Sequence, residues 1–240
     1  GENINLKNKY KLNVIIPIRN REEDLNNITD RLEEIFNSQG IHAKYYIIEQ
    51  SEKNKFNKGK ICNAAFKESL KDGFSDNYLF NDVDVYPKKT KKNNTIDFKY
   101  HQNKKNKNNI RHPYGFDHCL GCLFMVKADI YKKINGFSNQ YYGWGGEDHD
   151  IQKRAEVLDV NIDRNKFIKR GNKKKIYDDW SKEKITNSNN KTNQDIKFKL
   201  RDMYNRDKNI IKKDGVKNCQ YKIVSTSLYK NKMKRIKVDV

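Results

Sequence analysis

No apolar run in this sequence approaches the ~20 residues that a membrane-spanning helix needs. The first residues carry no signal-peptide pattern. The expectation is a soluble chain, or one whose anchor lies outside this stretch. Cysteine is scarce, with four in 240 residues, and no disulfide framework is evident. Cys119 and Cys122 form a lone CxxC without a second pair, a weak basis for zinc; if they lie on a strand, i and i+3 point to opposite faces. Buried free thiols are expected instead. No internal repeat and no domain-separating linker occur, so residues 1–240 are expected to form one domain, with 1–11 a flexible lead-in. The apolar fraction is low, 35%. Lysine and asparagine fill the difference, mostly outside the apolar runs, as a bias laid over an ordinary core. Acidic residues are outnumbered, and the net charge is +20. Such a charge attracts polyanions without choosing among nucleic acid, acidic glycan, anionic membrane and nucleotide-sugar phosphate. Many of the lysines lie in polar runs such as 88–107 and 173–175, which read as solvated surface. No aromatic-studded basic face or known nucleic-acid module accompanies them, so no specific nucleic-acid partner is expected.

What the sequence does have is an ordered alternation. Residues 12–18 (LNVIIPI) form a continuous apolar run, as in a buried parallel strand. Leu25, Ile28, Leu32, Ile35 and Phe36 then fall at helical spacing, with Asn20 and Glu23 as a candidate cap and Gly40 as the stop. Residues 43–50 read as a second strand, and Ile61, Cys62, Ala65, Phe66 and Leu70 as a second helix ending near Gly73. Residues 78–80 are a short third strand. Strand, helix, strand, helix, strand predicts an α/β fold with a Rossmann-like, mostly parallel sheet. Ligands of such sheets lie beyond the carboxyl ends of the strands. Further on, 88–109 and 171–194 read as mobile polar loops, 119–126 and 161–168 as strands, and 128–135 as a short helix. A late helix carries Ile196, Leu200, Met203, Tyr204 and Ile211, and 221–227 and 233–240 are expected to close the sheet.

The strand ends carry the chemistry. Asp82-Val83-Asp84 follows the third strand; in an extended segment its two carboxylates face one side and offer oxygen ligands to Mg²⁺ or Mn²⁺. Arg19 and Arg21 follow the first strand and suit phosphate or a nucleotide base. Phe56 precedes the second helix, where it would stack on a base or staple the helix entry. The richest stretch is YYGWGGEDHD, from Tyr141 to Asp150. Gly143, Gly145 and Gly146 permit a close backbone approach. Trp144 stands among them, and Glu147, Asp148 and Asp150 open a helix whose dipole favours their charge. Each feature also has a plain reading: surface acids, surface arginines, and a glycine turn leading into an acid-capped helix.

Taken together, the blocks PIRNR, FNKGK, NDVDVYP and NGFSNQYYGWGGED resemble the β-1,4-galactosyltransferase family over nearly all of 12–240. The resemblance implies a single GT-A domain and a metal-dependent, inverting transfer of a sugar, most simply galactose, from a UDP-sugar to a glycan hydroxyl. UDP-N-acetylgalactosamine and UDP-glucose remain alternative donors, and a weakened, glycan-binding relative remains an alternative function. It further implies that Arg19, Arg21 and Phe56 hold the uridine end. Asp82, Val83 and Asp84 would face the donor, with Asp84 on Mn²⁺ or Mg²⁺, and Trp144 would touch the diphosphate. Gly145, Gly146 and Glu147 would meet the acceptor, and Asp148 would be the general base. The chain also departs from the family. His149 stands where a further acid is usual. His118 stands at a position linked to donor choice, where Tyr is frequent. The Gly-Gly pair after it reads Leu120-Gly121. No histidine follows His149, so the family's downstream metal ligand falls on Trp180; Asp179 is the expected oxygen substitute, or water fills its place. The compartment stays open between the family's Golgi lumen and a cytoplasmic or viral-factory location, since this stretch has no signal, anchor or disulfide pattern.

Overall fold

A computed structural model of the protein describes residues 9–87, 96–171 and 191–240, together with the backbone of 177–179. β1 (Tyr10–Ile18), β2 (Ile41–Gln50) and β3 (Asn77–Asn81) are parallel neighbours, joined through α1 (Glu22–Gln39) and α2 (Lys58–Lys71). β1 is buried on both faces, as its unbroken apolar run requires. Leu12, Val14 and Ile16 pack with Leu25, Ile28, Leu32 and Phe36 of α1, while Ile15 faces Ile61, Ala65 and Phe66 of α2. Gly40 ends α1 in the left-handed conformation, φ 66°. The expected Asn20 cap does not form. Arg21 is the residue at that boundary, without a side-chain cap, and Asn20 itself turns to φ 55° and donates to Glu52 Oε1 at 2.7 Å. Asparagine tolerates that left-handed turn, which sends the strand end away from α1. α2 is properly capped: Asn57 Oδ1 accepts from the Lys60 N–H at 2.8 Å.

The chain continues through β4 (Val85–Pro87), β5 (Ile110–Gly115), β6 (Leu123–Lys127), α3 (Ala128–Lys133) and α4 (Glu147–Val157). β7 (Ile162–Asp163), β8 (Ile168–Lys169), β9 (Tyr177–Asp179), α5 (Lys191–Arg206), β10 (Lys222–Tyr229) and β11 (Met233–Asp239) complete it. The main sheet runs β10-β11-β2-β1-β3-β6-β5-β7, with β8 also on β5, and β4 pairs with β9. The sheet is mixed. Its middle is parallel, as expected, while β6 runs antiparallel to β3 and β5, and β10 antiparallel to β11. Because β6 is reversed, its beginning lies at the same edge as the ends of β1, β2 and β3. The Asp82 N–H donates to the Cys122 carbonyl there at 2.8 Å.

Several sequence expectations change. Residues 96–109 are not a mobile loop: Ile96, Phe98 and Tyr100 are buried, and Phe98 meets Phe36 edge-on with ring centroids 5.2 Å apart. Three well-spaced apolar side chains anchor a segment whose lysines point outward; 88–95 lie outside the described residues. The strand expected over 119–126 begins only at Leu123, since Cys122 takes φ 65° in the turn before it. The strand expected over 161–168 is two short pieces, β7 and β8, parted by a turn in which Lys166 has positive φ. The late helix stops at Arg206 and is followed by a 3₁₀ segment, Lys208–Lys213. α5 starts at Lys191, inside the span expected to be a loop, while 172–176 and 180–190 lie outside the described residues. No helix among the described residues is long and apolar enough to cross a membrane.

Candidate active site

The ends of β1, β2 and β3, the start of β6 and the N-terminus of α4 converge on one polar cluster. At its centre is Lys58, the first residue of α2. Its Nζ lies 2.9 Å from Asp82 Oδ1, 2.8 Å from Asp148 Oδ1 and 3.8 Å from Glu147 Oε1. One ammonium thus serves three buried or half-buried carboxylates. Burial alone would lower the lysine, but Asp148, Asp82 and Glu147 together hold it well above its ordinary value. A single positive charge does not offset the desolvation and mutual repulsion of three acids. Burial pushes the Asp148 carboxyl up to about 8, with Glu147 and Asp82 adding to the rise and Lys58 opposing it. Burial raises Glu147 as well, again against Lys58. The cluster is therefore short of positive charge.

Asp84 shows the same deficit. Asp82 to Val85 is a turn rather than an extended strand, closed by the Val85 N–H on the Asp82 carbonyl at 3.1 Å. The two acids are brought together by this turn and not by strand alternation. Val83 packs its side chain into the core and can reach a ligand only through its backbone. Burial, then Asp82, pushes the Asp84 carboxyl up to about 6, with Arg170, Arg21 and Lys58 opposing. Such a half-buried acid pair fits a hard divalent cation. Asp179 pairs through its backbone with Val85, next in chain to Asp84; its side chain and Trp180 lie outside the described residues.

Asp148 is held in place from behind by Gly121. A Cβ at Gly121 would fall within the contact shell of Asp148 Oδ2, so the carboxylate occupies the space a side chain would need. The Gly121 carbonyl is fixed in turn by His112 Nε2 at 3.0 Å. Glu147 Oε2 is buried without a hydrogen-bond partner, an acceptor oxygen awaiting a donor. Gly146, at φ 100°, closes on the Tyr141 ring, and Gly145 takes φ 90° with open space around it. The loop is tied down by the Gly143 N–H on the Phe56 carbonyl at 2.7 Å and by the Asn193 amide on the Gly145 carbonyl at 2.8 Å. Trp144 projects from it, 56% exposed. Arg19 lies over the Phe56 ring, 5.2 Å from its centroid, and Arg21 pairs with Asp24 at 3.2 Å.

Two expectations are corrected here. Asp150 does not join the acidic corner: it is buried against Arg154 Nε at 2.6 Å and accepts from the Tyr204 hydroxyl at 3.1 Å. Three residues down a helix from Glu147, it points into the protein. The CxxC lies in a turn rather than on a strand, while all four cysteines are buried and free, as expected of thiols without a framework. His118 is exposed and lies against His149, ring centroids 5.3 Å apart. Lys58, His112 and Asn193 carry weight in this site that their sequence context did not show. Lys58 alone had a signal, its place in the FNKGK block at the entry to the second helix.

Comparison with known proteins places the chain in a family. Residues 4–96 match the model of the N-terminal region of glycosyl transferase group 7, and residues 102–179 that of the N-terminal domain of galactosyltransferase. The chain is 29% identical over 216 residues to human β-1,4-galactosyltransferase 4, covering 88% of this chain and 58% of that protein. It is 31% identical over 222 residues to the Cricetulus griseus protein of the same name, covering 91% and 61%. The chain thus spans about three fifths of the length of these curated relatives. The catalytic domain of Drosophila β1,4-galactosyltransferase 7, solved with xylobiose, superposes with TM-score 0.73 at 21% identity, over 96% of this chain and 94% of that one. A mutant of that protein, solved with manganese, UDP-Gal and xylobiose, gives TM-score 0.67 at 20% identity, over 96% and 94%. Sheet order, helices and strand-end site define a glycosyltransferase-class GT-A fold. The chain belongs to glycosyl transferase group 7, the β-1,4-galactosyltransferase family.

Proposed function

We propose that this protein is a metal-dependent, inverting hexosyltransferase that moves galactose from UDP-galactose to a hydroxyl of an acceptor glycan. The observation that carries the reading is Lys58: it joins the donor-side acid Asp82 to the candidate base Asp148 within one cluster. Donor and acceptor chemistry therefore meet at a single point. Asp84 and Asp82 suit Mn²⁺ or Mg²⁺, with Asp179 as a further oxygen donor, and such an ion supplies charge neutralisation for the leaving diphosphate. The solved Drosophila complex with manganese and UDP-Gal supports that donor class. Lys58 adds a positive charge on the same side. Arg19 and Phe56 offer a cation and a ring to the uridine end, and Trp144 offers an exposed indole beside the diphosphate. Glu147 accepts a hydrogen bond from the acceptor sugar through its unpartnered oxygen. Asp148 takes the proton of the attacking hydroxyl, and the new glycosidic bond forms on the face opposite UDP.

UDP release measured over a panel of UDP-sugars tests the activity and the donor together. Asp148→Asn is expected to lower turnover ~10²–10⁴-fold, the usual worth of a positioned base, with donor binding retained. Unchanged turnover removes Asp148 from that role. Asp84→Ala is expected to abolish metal-dependent donor binding, and Asp179→Ala to weaken it. Full turnover in a chelating buffer overturns the metal requirement. The absence of any histidine after His149 favours one second reading, a glycan-binding protein on the same fold; binding of glycan without UDP release from any donor would establish it.

A further inference from the structure

We propose that His118, Cys119 and His149 bind one zinc-class divalent cation, at a site distinct from the Asp82–Asp84 acids. The turn before β6 carries His118 and Cys119, and the first turn of α4 carries His149. One imidazole nitrogen from each histidine and the Cys119 sulfur all lie within 4.8 Å of one another. The Leu120 N–H donates to the Asp148 carbonyl at 3.0 Å. That bond fastens the turn to the helix and fixes the backbone of Cys119 relative to His149. Cys119 is buried, His149 half-buried and His118 exposed. Two ligands are therefore pre-placed, and the third, exposed His118, has Asp117 Oδ1 at 3.4 Å from its Nδ1 to leave as it swings in. A tetrahedral zinc with arms of ~2.0–2.3 Å holds its ligand atoms ~3.4–3.7 Å apart. Closing from the observed separation takes about 1 Å, which a staggered-rotamer adjustment of an exposed imidazole provides.

The donor set decides the metal. One thiolate and two imidazoles form a borderline-soft set that favours Zn²⁺ over Mn²⁺ or Mg²⁺, whereas the carboxylates of Asp82 and Asp84 do the reverse. Three protein ligands with one side open to solvent leave a fourth position for water. The local field suits a dication: Asp148, Glu147 and Asp82 act on Cys119. Lys58 and Arg164 act on Cys119, and Lys197 on His149, as the opposing cations.

Cobalt is the probe, because its spectrum reports both the ligand type and the geometry. Co²⁺ titrated into the full chain is expected to give one equivalent of tetrahedral bands with a thiolate-to-cobalt charge-transfer band. Zn²⁺ should displace it, and excess Mg²⁺ should not. Cys119→Ser is expected to remove the charge-transfer band, with circular dichroism checking that the variant folds. His118→Ala, at an exposed position with no folding burden, is expected to weaken Zn²⁺ binding at least ~10-fold, the least that a supporting residue of a metal site costs. Asp84→Ala is expected to leave the spectrum unchanged. A wild-type chain without the charge-transfer band overturns the proposal, as does a band that survives Cys119→Ser or disappears in Asp84→Ala. The readout is metal binding, so its failure is distinguishable from failure of the transferase reading.

Discussion

His112 is held between a carbonyl and a guanidinium, and this fixes its charge. Its Nε2 donates to the Gly121 carbonyl at 3.0 Å, and its Nδ1 accepts from Arg164 Nε at 3.0 Å. Protonating Nδ1 would set one N–H against another. Burial, followed by Arg164, pushes the imidazole down to about 3, against ~6.5 for a free histidine. Between those values the unfolded chain binds a proton that the folded chain refuses. The stabilisation is complete above the unfolded value and is lost as pH falls toward the folded one. The contribution of His112 is expected to be lost between about pH 7 and about pH 5, so the melting-temperature profiles of the wild type and His112→Gln should converge over that range. Scanning calorimetry across this range checks it; parallel profiles for the two proteins would exclude His112 as the cause. Nothing in the local sequence placed His112 behind Gly121, because the two meet only through the antiparallel pairing of β5 and β6. The acids and glycines of the Tyr141–Asp150 stretch were legible because their chemistry lies in consecutive residues. The ion pair from Lys58 to Asp148, 90 positions apart, was not.

At the scale of elements, α4 is the piece that the site depends on, and Arg154 is what holds it. The guanidinium is fully buried, with Nε on Asp150 at 2.6 Å, Nη2 on Asp214 at 3.2 Å and on the Tyr204 hydroxyl at 2.8 Å, and Nη1 on the Asp214 carbonyl at 2.6 Å. These bonds join α4 to α5 and to the turn before Val216. Arg154→Ala strands Asp150 in the interior without a counter-ion, at a cost of ~3–5 kcal/mol. Urea unfolding at neutral pH measures it, and a change below ~1 kcal/mol would show that Asp150 is neutral without Arg154. The long, periodic elements were readable from sequence: α1, α2, and the apolar strands β1 and β2. β5 was not, and β7 and β8 were read as one strand, since two to six residues give too few alternations to stand out from a lysine-rich background. The 96–109 segment misled for a related reason. Its burial rests on Ile96, Phe98 and Tyr100, and its charged majority described only the outer face.

Taken whole, the molecule is built on a main sheet whose order is far from the order of its sequence. β11 lies between β10 and β2, and the segment just beyond β2 is stitched to the residues at its end. The Ser51 N–H donates to the Val238 carbonyl at 2.9 Å, Lys53 pairs with Asp239 at 2.5 Å, and the Asn54 amide donates to the Val240 carbonyl at 2.7 Å. Ending the chain after Asn231 would strip β2 of a neighbour and leave β10 unpaired. An exposed, apolar edge of that length associates, so the shortened protein is expected in the pellet after lysis. A soluble product with the full-length thermal transition would contradict this. The placement of β11 also sets a clock on synthesis. Of the strands in this sheet, the one that the ribosome makes last is an interior one. Through most of translation the β2 edge therefore stands open, and this side of the sheet cannot close until residues 233–239 have left the exit tunnel.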